Sequence, residues 1–490
     1  MTWRKGSGFA LQVSFVLLFA APLFVAPRLV AQSLAPTPTH LVTPGMAAPS
    51  SAAQENPAAA SAANPAAPGA LLTLDQLEQL AVANNPTLGE AKANVDAAAG
   101  RTRQAGLWPN PAIGYTGEEI RGGSYGGGQQ GAFVEQRIVL GGKLGLDRKA
   151  SGEEGQQAQE QARAQQLRVQ NTVRIAFYEL LAAQQMVDLR AKLSQLARDA
   201  VETTRQLQNV GQADQPDLLE AQVESDEADL AVTAAEHQQQ SAWRMLAAIV
   251  GRPDLPPARL AGNLEDFPQL DPNQILQTIL RDSPAVKIAQ LDAERAETAL
   301  TRAHRETVPD LRVRAGYLDN LEQLEPGSPV AVGSEAFAEV GIDLPLFNRN
   351  EGNIGAARAE RERATLEVQR VSLALQQAAA PALQEYASAR AVAERYKKQT
   401  LPEATRAYAL YLQRYREGAA AYPQVLIAQR TVFQLQASYL SALESVWVNA
   451  AALQGLLLVG GLDAPPSRAV DPVRPEAGIN MPYGGAPGAR

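Results

Sequence analysis

The 490-residue sequence contains no cysteine, only three histidines, and few aromatic residues (5%). The absence of cysteine excludes disulfide bonds, thiolate metal sites, a cysteine nucleophile and a lipid attached through cysteine. His40, His237 and His304 lie far apart in the chain, so their spacing predicts no histidine-based metal site. Scarce aromatic residues argue against one large globular core. The net charge of -8 argues against a nucleic-acid partner.

The first 31 residues have the pattern of a secretory signal peptide. Arg4 and Lys5 precede an apolar run over residues 9–25, and small residues near Ala31 form a candidate cleavage site. A retained membrane anchor is the alternative, which a proline inside the run disfavours. No later stretch approaches the roughly 18 to 20 continuous apolar residues of a membrane-spanning helix.

Two segments rich in alanine and proline flank the central part of the chain. Residues 32–70 and 463–490 lack any hydrophobic periodicity, so we predict a disordered linker and a disordered tail. We expect the folded body to cover residues 71–462.

An internal duplication organises this body. Four segments recur in the same order in both halves, which indicates two copies of one structural unit. The pairs are NNPTL (84–88) with DSPAV (282–286), WPNP (108–111) with VPDL (308–311), VEQRIVLGGK (134–143) with VGIDLPLFNR (340–349), and GQADQPDLLEAQ (211–222) with GAAAYPQVLIAQ (418–429). We therefore predict a first repeat over 71–262 and a second over 263–462.

Each repeat is predicted to contain a helix, two strands, a long helix and a returning helix. The predicted bounds are helices 74–107, 143–210 and 218–250 around strands in 112–142, then helices 275–305, 348–416 and 425–458 around strands in 311–347. At 1.5 Å per residue, the first long helix extends about 100 Å. Pro381 and Pro402 predict a kink or an interruption in the second long helix.

The first long helix carries apolar residues at coiled-coil spacing, with one stutter. The predicted seam is Val169, Val173, Ala176, Leu180, Ala183 and Val187, followed by Leu189, Leu193, Leu196, Ala200, Thr203, Leu207 and Val210. A cytoskeletal type of coiled coil is the alternative. The strands between the helices and the signal peptide disfavour it.

The predicted strands alternate apolar and charged residues. Apolar positions include Val134, Ile138, Leu140, Leu311, Val313, Ala315, Tyr317, Ala336, Ala338, Val340, Ile342 and Leu344. Charged positions on the opposite face include Glu135, Arg137, Arg312, Arg314, Glu335, Glu339 and Asp343. This alternation suits strands between lipid and a water-filled lumen, although a half-buried sheet of a soluble domain produces it too. Four strands cannot close a barrel, and open edges are not tolerated in lipid, so a trimer with twelve strands is expected.

Two glycine-rich stretches do not predict a nucleotide site. The stretch GGSYGGGQQG (122–131) is expected to be the loop at the outer end of the first hairpin. A phosphate-binding loop would lie between a strand and a helix and be followed by Lys-Ser or Lys-Thr, which neither this stretch nor LGGK (140–143) satisfies.

Several segments resemble the outer-membrane efflux protein (TolC) family, and the resemblance extends over nearly all of residues 71–462. Residues 401–431 and 210–222 resemble its paired turn motifs. GLWPNPAIGYTGEE (106–119) and VEQRIVLGGKLG (134–145) resemble its divalent-cation, CzcC-like branch. The chain departs from the lipoprotein members in lacking a lipid-bearing cysteine, and its long Ala/Pro-rich linker is unusual.

The resemblance implies an α+β membrane protein. Its long antiparallel coiled-coil helices would form a periplasmic α-barrel, and its four strands would contribute to a trimeric, 12-stranded β-barrel in outer-membrane lipid. Such a homotrimer works as a passive, gated conduit with a periplasmic adaptor protein and an inner-membrane pump, here of the RND type. No reaction and no cofactor are implied, and the cargo could be a metal ion, a drug or another compound.

By position, the resemblance also implies which residues dock the adaptor, form the gate and line the lumen. The tip turns that dock the adaptor would include Gly211, Asp214, Pro216, Asp217, Gly418, Tyr422 and Pro423. Candidate gate residues are Glu220, Arg414, Tyr415, Arg416 and Glu417, and the lumen would be lined by Glu135, Arg137, Arg312, Arg314, Glu339 and Asp343. We expect a side chain at Gly211 or Gly418 to obstruct the backbone path. The alternative for each charged tip residue is an ordinary solvated helix end.

Two other classes of function remain open from the sequence. A periplasmic coiled-coil scaffold or adaptor without a pore would use the same helices. An enzyme is disfavoured, because the sequence offers no nucleophile–base arrangement, metal motif or nucleotide-binding loop.

Overall fold

The computed structural model describes residues 71–118, 128–211, 213–323, 330–417 and 422–466. The predicted signal peptide, the linker and most of the tail lie outside these ranges. The first half contains α1 (Leu74–Asn84), α2 (Pro86–Ala105), β1 (Ala112–Glu118), β2 (Gln129–Ile138), α3 (Lys143–Asn209) and α4 (Gln215–Ile249). The second half contains α5 (Pro272–Asp282), α6 (Pro284–Arg305), β3 (Leu311–Gln323), β4 (Ala331–Ile342), α7 (Glu351–Arg395), a π-helical segment (Tyr396–Thr400), α8 (Leu401–Arg416) and α9 (Tyr422–Gln454). The same order of elements therefore occurs twice, and the predicted α+β fold is confirmed.

Each half opens with two helices, whereas one continuous helix was predicted. The break lies at Asn85 in the first half and at Ser283 in the second, inside the recurring NNP and DSP motifs. The side chain of Asn85 accepts a hydrogen bond from the Thr87 N–H at 3.0 Å, and each capping residue is followed by a proline at the first helical position. Both features favour a new helix start, which explains the break.

The long helices of the two halves differ at the positions of their prolines. Helix α3 runs unbroken for 67 residues, about 100 Å. In the second half, α7 continues through Pro381, so this proline does not end the helix. The interruption is the π-helical segment just before Pro402. Proline lacks an N–H and crowds the carbonyl four residues earlier, which a wider π turn accommodates.

The predicted buried positions of the α3 coiled-coil seam are correct before the stutter and wrong after it. Val169, Val173 and Leu180 are fully buried, as predicted. Beyond the stutter the buried positions are Ser194, Ala197 and Thr204, each one residue after a predicted one. Leu196 and Val210 are exposed instead. Helix α4 packs along α3, and Ser194 donates a hydrogen bond to Asp229 of α4 at 2.6 Å. Since α4 also buries small residues such as Ala221 and Ala228, small side chains here allow the two helices to pack closely.

The core of the described chain lies where the middle of α3 meets α1, α4, α9 and the connector between the halves. Its fully buried side chains include Leu77, Leu180, Leu246, Leu264, Ile279, Val446 and Leu453. Tyr178 of α3 stacks on Trp447 of α9 with ring centroids 4.0 Å apart, and the indole N–H of Trp447 donates to the Leu264 carbonyl at 2.8 Å. The two halves are thus joined through one shared core.

The four strands form one antiparallel sheet in the order β1-β2-β3-β4. Glu135 lies opposite Arg314, which lies opposite Glu339, and the next row pairs Arg137 with Arg312. These charged residues share one face, as the alternation predicts. The other face exposes Ile113, Tyr115, Val134, Tyr317, Val340 and Ile342. Within the described residues, β1 and β4 each have one edge without a partner strand.

None of the described helices combines the length and the apolar character that crossing a bilayer requires.

Candidate functional site

The charged face of the sheet is organised around Arg314. Its guanidinium carbon lies 3.9 Å from the centroid of the Phe133 ring and 5.6 Å from that of Phe337, which are cation–π distances. A nitrogen of the same guanidinium lies 4.0 Å from a Glu339 carboxylate oxygen. Arg312 forms a second ion pair on this face, with Asp343 just beyond β4. The predicted lumen residues Arg312, Arg314, Glu339 and Asp343 are therefore neighbours in two cross-strand pairs.

Sequence reasoning missed both phenylalanines of this face. The ring of Phe133 covers Gly114, where an added Cβ would lie only 2.4 Å from the ring, and the ring of Phe337 covers Gly316 at 2.5 Å. Each ring thus fills the space above a glycine on the neighbouring strand. The sequence contains a glycine on β1 and another on β3 that leave room for the two rings, but these glycines could be matched to the phenylalanines only once the strand register was known.

At the helix-proximal end of the sheet, Asp310 holds three donors. Its carboxylate accepts hydrogen bonds from the Lys143 ammonium group at 3.0 Å, the Arg137 guanidinium at 3.0 Å and the Leu140 N–H at 3.1 Å. Burial raises the pKa of the Asp310 carboxyl, but the hydrogen bonds from Lys143 and Leu140 and the charge of Lys143 outweigh it and hold the pKa below its usual range. Arg137, predicted to line a lumen, therefore also ties β2 to the start of β3.

Lys143 is the buried member of this cluster. Its side chain is only 3% exposed, at the first residue of α3. A buried ammonium group needs a paired carboxylate, and Asp310 at 3.0 Å and Glu306 at 3.9 Å supply two, so these ion pairs tie the start of α3 to the segment between α6 and β3.

At the opposite end of α3, Gly211 makes the turn into α4. Its φ is +79°, and nothing lies within 4 Å of the position that a Cβ would take. No neighbouring atom would meet a side chain at Gly211; what disfavours a side chain there is the left-handed backbone, which glycine adopts without strain. Gly418 lies outside the described residues.

The other tip residues of the first half build the start of α4. The Asp214 N–H donates to a carboxylate oxygen of Asp217 at 3.1 Å, and Pro216 occupies the first turn of the helix. The Gln208 and Gln215 side chains join across the turn at 2.7 Å. These contacts make the turn between α3 and α4 a compact, exposed unit.

The candidate gate residues are brought together only in part. Burial raises the pKa of Tyr415, and the nearby Asp217 carboxylate raises it further. The C-terminal end of α8 therefore lies near the N-terminal end of α4. Glu220 and Arg414 are exposed, and neither is ion-paired with another described side chain. Glu417 accepts a hydrogen bond from Gln413 on its own helix. Pro423 is exposed, whereas the side chains of Arg416 and Tyr422 lie outside what the structure describes.

An ion pair that the sequence did not reveal links the two halves near these tips. Arg430 of α9 donates to Glu224 of α4, whose side chain is only 11% exposed, while that of Arg430 is 49% exposed. The partners are more than 200 residues apart in sequence, so no local pattern could have identified them.

Within the described residues, no group of three or more His, Asp or Glu side chains has an arrangement that could hold a metal ion.

The sequence profile of the outer membrane efflux protein family matches residues 77–252 and 275–457. The chain belongs to this family. The two matched ranges correspond to the two halves of the fold, and membership assigns the protein to the outer membrane and to efflux rather than to an enzyme family.

Two curated relatives are similar along the chain. The cobalt-zinc-cadmium resistance protein CzcC of Cupriavidus metallidurans is 28% identical over 390 residues, which covers 79% of this chain and 90% of CzcC. The nickel-cobalt-cadmium resistance protein NccC of Alcaligenes xylosoxydans xylosoxydans is 27% identical over 286 residues, covering 57% of this chain and 62% of NccC. The predicted resemblance to the CzcC-like branch is confirmed.

Among solved structures, the fold is similar to that of CusC. The TM-score is 0.66 at 17% sequence identity, and the match covers 79% of this chain and 92% of CusC. At this identity, the likeness concerns the fold alone.

Proposed function

We propose that three copies of this chain form the outer-membrane channel of a tripartite efflux system. The observation that carries the proposal is the sheet, which has two unpaired edges, one exposed apolar face and one charged face. An isolated four-stranded sheet with such edges is not stable in lipid, whereas three sheets joined edge to edge have none left open. Apolar side chains would then face lipid and the Arg314 face would line a wet lumen.

The proposed lumen has mixed charge. Three-fold symmetry would repeat Glu135, Arg314 and Glu339 as rings, and charged rings bias which ions pass. Because one cross-strand row alternates acidic and basic groups (Glu135, Arg314, Glu339) and the next carries Arg137 beside Arg312, the rings would tune passage rather than exclude one sign of charge.

The proposed gate lies at the helical tips. Gly211, Asp214, Pro216 and Asp217 form the turn that would dock the periplasmic adaptor, together with the turn between α8 and α9. The Glu224–Arg430 ion pair connects the helical hairpin of the first half to that of the second, so separating the hairpins would break it. It would act as a latch that favours the closed tip, while the hairpins realign as packed units.

The proposed cargo is a divalent metal ion, with other small molecules as the alternative. The names of the two curated relatives, which refer to cobalt, zinc, cadmium and nickel resistance, support the metal ion. Energy would come from an inner-membrane pump of the RND type, joined through the adaptor, because a conduit of this kind has no energy source of its own.

The absence of cysteine in the natural sequence allows a clean test of the lumen. Glu339→Cys and Val340→Cys place one thiol on the charged face and one on the apolar face of the same strand, in neighbouring positions. We expect a water-soluble, membrane-impermeant maleimide added to intact cells to label the first variant and not the second. A bulky maleimide on Glu339→Cys should also slow export of zinc and cadmium from the cells.

The alternative function is a periplasmic coiled-coil scaffold or adaptor without a pore. A scaffold predicts no labelling of either variant in intact cells and equal labelling of both after the outer membrane is permeabilised. That result would overturn the channel proposal.

A further inference from the structure

We infer that neighbouring copies join at a seam that repeats, residue for residue, the contact between β2 and β3 within one chain, with Trp108 of one copy packed on Phe347 of the next. The inference rests on the trimeric channel proposed above.

The internal duplication supplies the correspondence. VEQRIVLGGK aligns with VGIDLPLFNR, so β2 corresponds to β4 and Gly141 corresponds to Phe347. WPNP aligns with VPDL, so the start of β1 corresponds to that of β3 and Trp108 corresponds to Val308. In a closed ring, β4 of one copy lies beside β1 of the next, just as β2 lies beside β3 within the chain.

The contact within the chain is close. A Cβ built on Gly141 would lie 3.0 Å from the Val308 Cβ, so the segment after β2 touches the segment before β3. The corresponding contact between copies would bring Phe347 against Trp108. Both are exposed in the single chain, Phe347 completely and Trp108 by 57%, and Leu107, Leu344 and Leu346 beside them are exposed as well. Two aromatic rings would thus take the places that a glycine and a valine take within the chain.

The strand faces agree with this register independently. Gln136 of β2 pairs with Val313 of β3 within the chain. In the alignment of the repeats, Gln136 corresponds to Ile342 and Val313 corresponds to Ile113, so Ile342 of one copy would lie opposite Ile113 of the next. Both isoleucines lie on the exposed apolar face, and in the following rows glycine meets glycine on the charged face and Val340 meets Tyr115 on the apolar face. A shift by one residue would place apolar side chains beside charged ones, so the faces exclude it.

A second copy fits these exposed residues better than lipid alone. Trp108 lies just before one unpaired edge strand and Phe347 just after the other, so the patch continues the two edges that must pair. Contact between the two rings would also add an aromatic attraction that lipid tails do not provide.

The test is disulfide cross-linking of the full chain, purified in detergent, since every disulfide must arise from introduced cysteines. We expect oxidised Trp108→Cys/Phe347→Cys to move from the monomer position to about three times that mass on a non-reducing gel, and reductant to reverse the shift. Ile113→Cys/Ile342→Cys should behave in the same way. Gln136→Cys/Val313→Cys should oxidise within one chain and stay at the monomer position.

Leu71→Cys/Phe347→Cys is the matched negative control. Leu71 is as exposed as Trp108 but lies near the core, far along α3 from the sheet, so no cross-linked trimer should form. The molecular mass of the uncross-linked wild type separates the two proposals. A wild-type trimer whose Trp108/Phe347 and Ile113/Ile342 pairs do not cross-link overturns the seam and leaves the channel standing. A monomeric wild type overturns both.

Discussion

The Glu224–Arg430 ion pair should set how readily the helical tip opens. Glu224→Gln removes the negative charge of the pair and keeps the size of the side chain. Arg430→Gln removes the positive charge and shortens the side chain. Because the pair joins α4 to α9, its loss weakens the contact between the two hairpins without touching the core that joins the halves. Both single variants should therefore favour the open tip.

The free energy that the ion pair contributes depends on how exposed its two side chains are. Exposed ion pairs contribute about 0 to 1 kcal/mol, and the burial of Glu224 beside a half-exposed Arg430 places this pair near the upper end, at about 1 kcal/mol. If three copies open together, the closed state loses about 3 kcal/mol. Since about 1.4 kcal/mol is a factor of ten in an equilibrium, the ratio of closed to open channels should fall roughly 100-fold.

The assay is the open probability of single channels in planar bilayers. We expect frequent openings for either single variant, and recovery of the closed state for the charge swap Glu224→Arg/Arg430→Glu. Asp229→Asn is a matched control, because Arg198–Asp229 is an ion pair between α3 and α4 of one hairpin and should not report on separation of the hairpins. Unchanged open probability in both single variants, or equal opening in the control, would refute the latch.

Three further predictions concern stability in detergent. Gly211→Ala should cost about 1 kcal/mol because of the left-handed backbone, whereas Gly152→Ala, inside α3 with equally free space, should stabilise by up to about 1 kcal/mol; equal effects in thermal unfolding would contradict this. Asp310→Asn leaves the buried Lys143 with only the more distant Glu306 carboxylate, 3.9 Å away, and should cost up to about 3 kcal/mol, so an unchanged melting temperature would show that the cluster is not structural. Burial raises the pKa of Glu444, and the neighbouring Glu179 carboxylate raises it further. A raised carboxyl pKa stabilises the fold only at low pH and this stability is lost as pH rises through the folded value, so Glu444→Gln should melt higher than wild type at neutral pH and equally near pH 4.

The sequence predicted what depends on local pattern. The repeated order of helices and strands, the unbroken α3 and the alternating faces of the strands all follow from periodicity and recurring motifs, and each is present in the structure. The helix breaks at Asn85 and Ser283 could have been read too, because a capping side chain followed by proline is a known start signal. We predicted continuous helices there because the flanking composition favours helix.

What the sequence could not supply depends on register and distance. The phase of the α3 seam after the stutter was missed because leucines were taken as the buried positions, whereas the buried residues there are Ser194, Ala197 and Thr204. Glu224 and Arg430 meet only because two hairpins pack side by side. The position of Phe133 over Gly114 required the pairing of β1 with β2.

Single-channel conductance of the purified full chain in planar bilayers tests most directly whether the protein forms a channel. We expect discrete current steps of uniform size, and a shift of the reversal potential toward anion preference in Glu339→Lys but not in Val340→Thr, its neighbour on the apolar face. A closed tip also blocks current, so the recording includes a variant in which both helical tips are shortened by the same number of turns. Trimeric protein that stays silent even with shortened tips would contradict the channel.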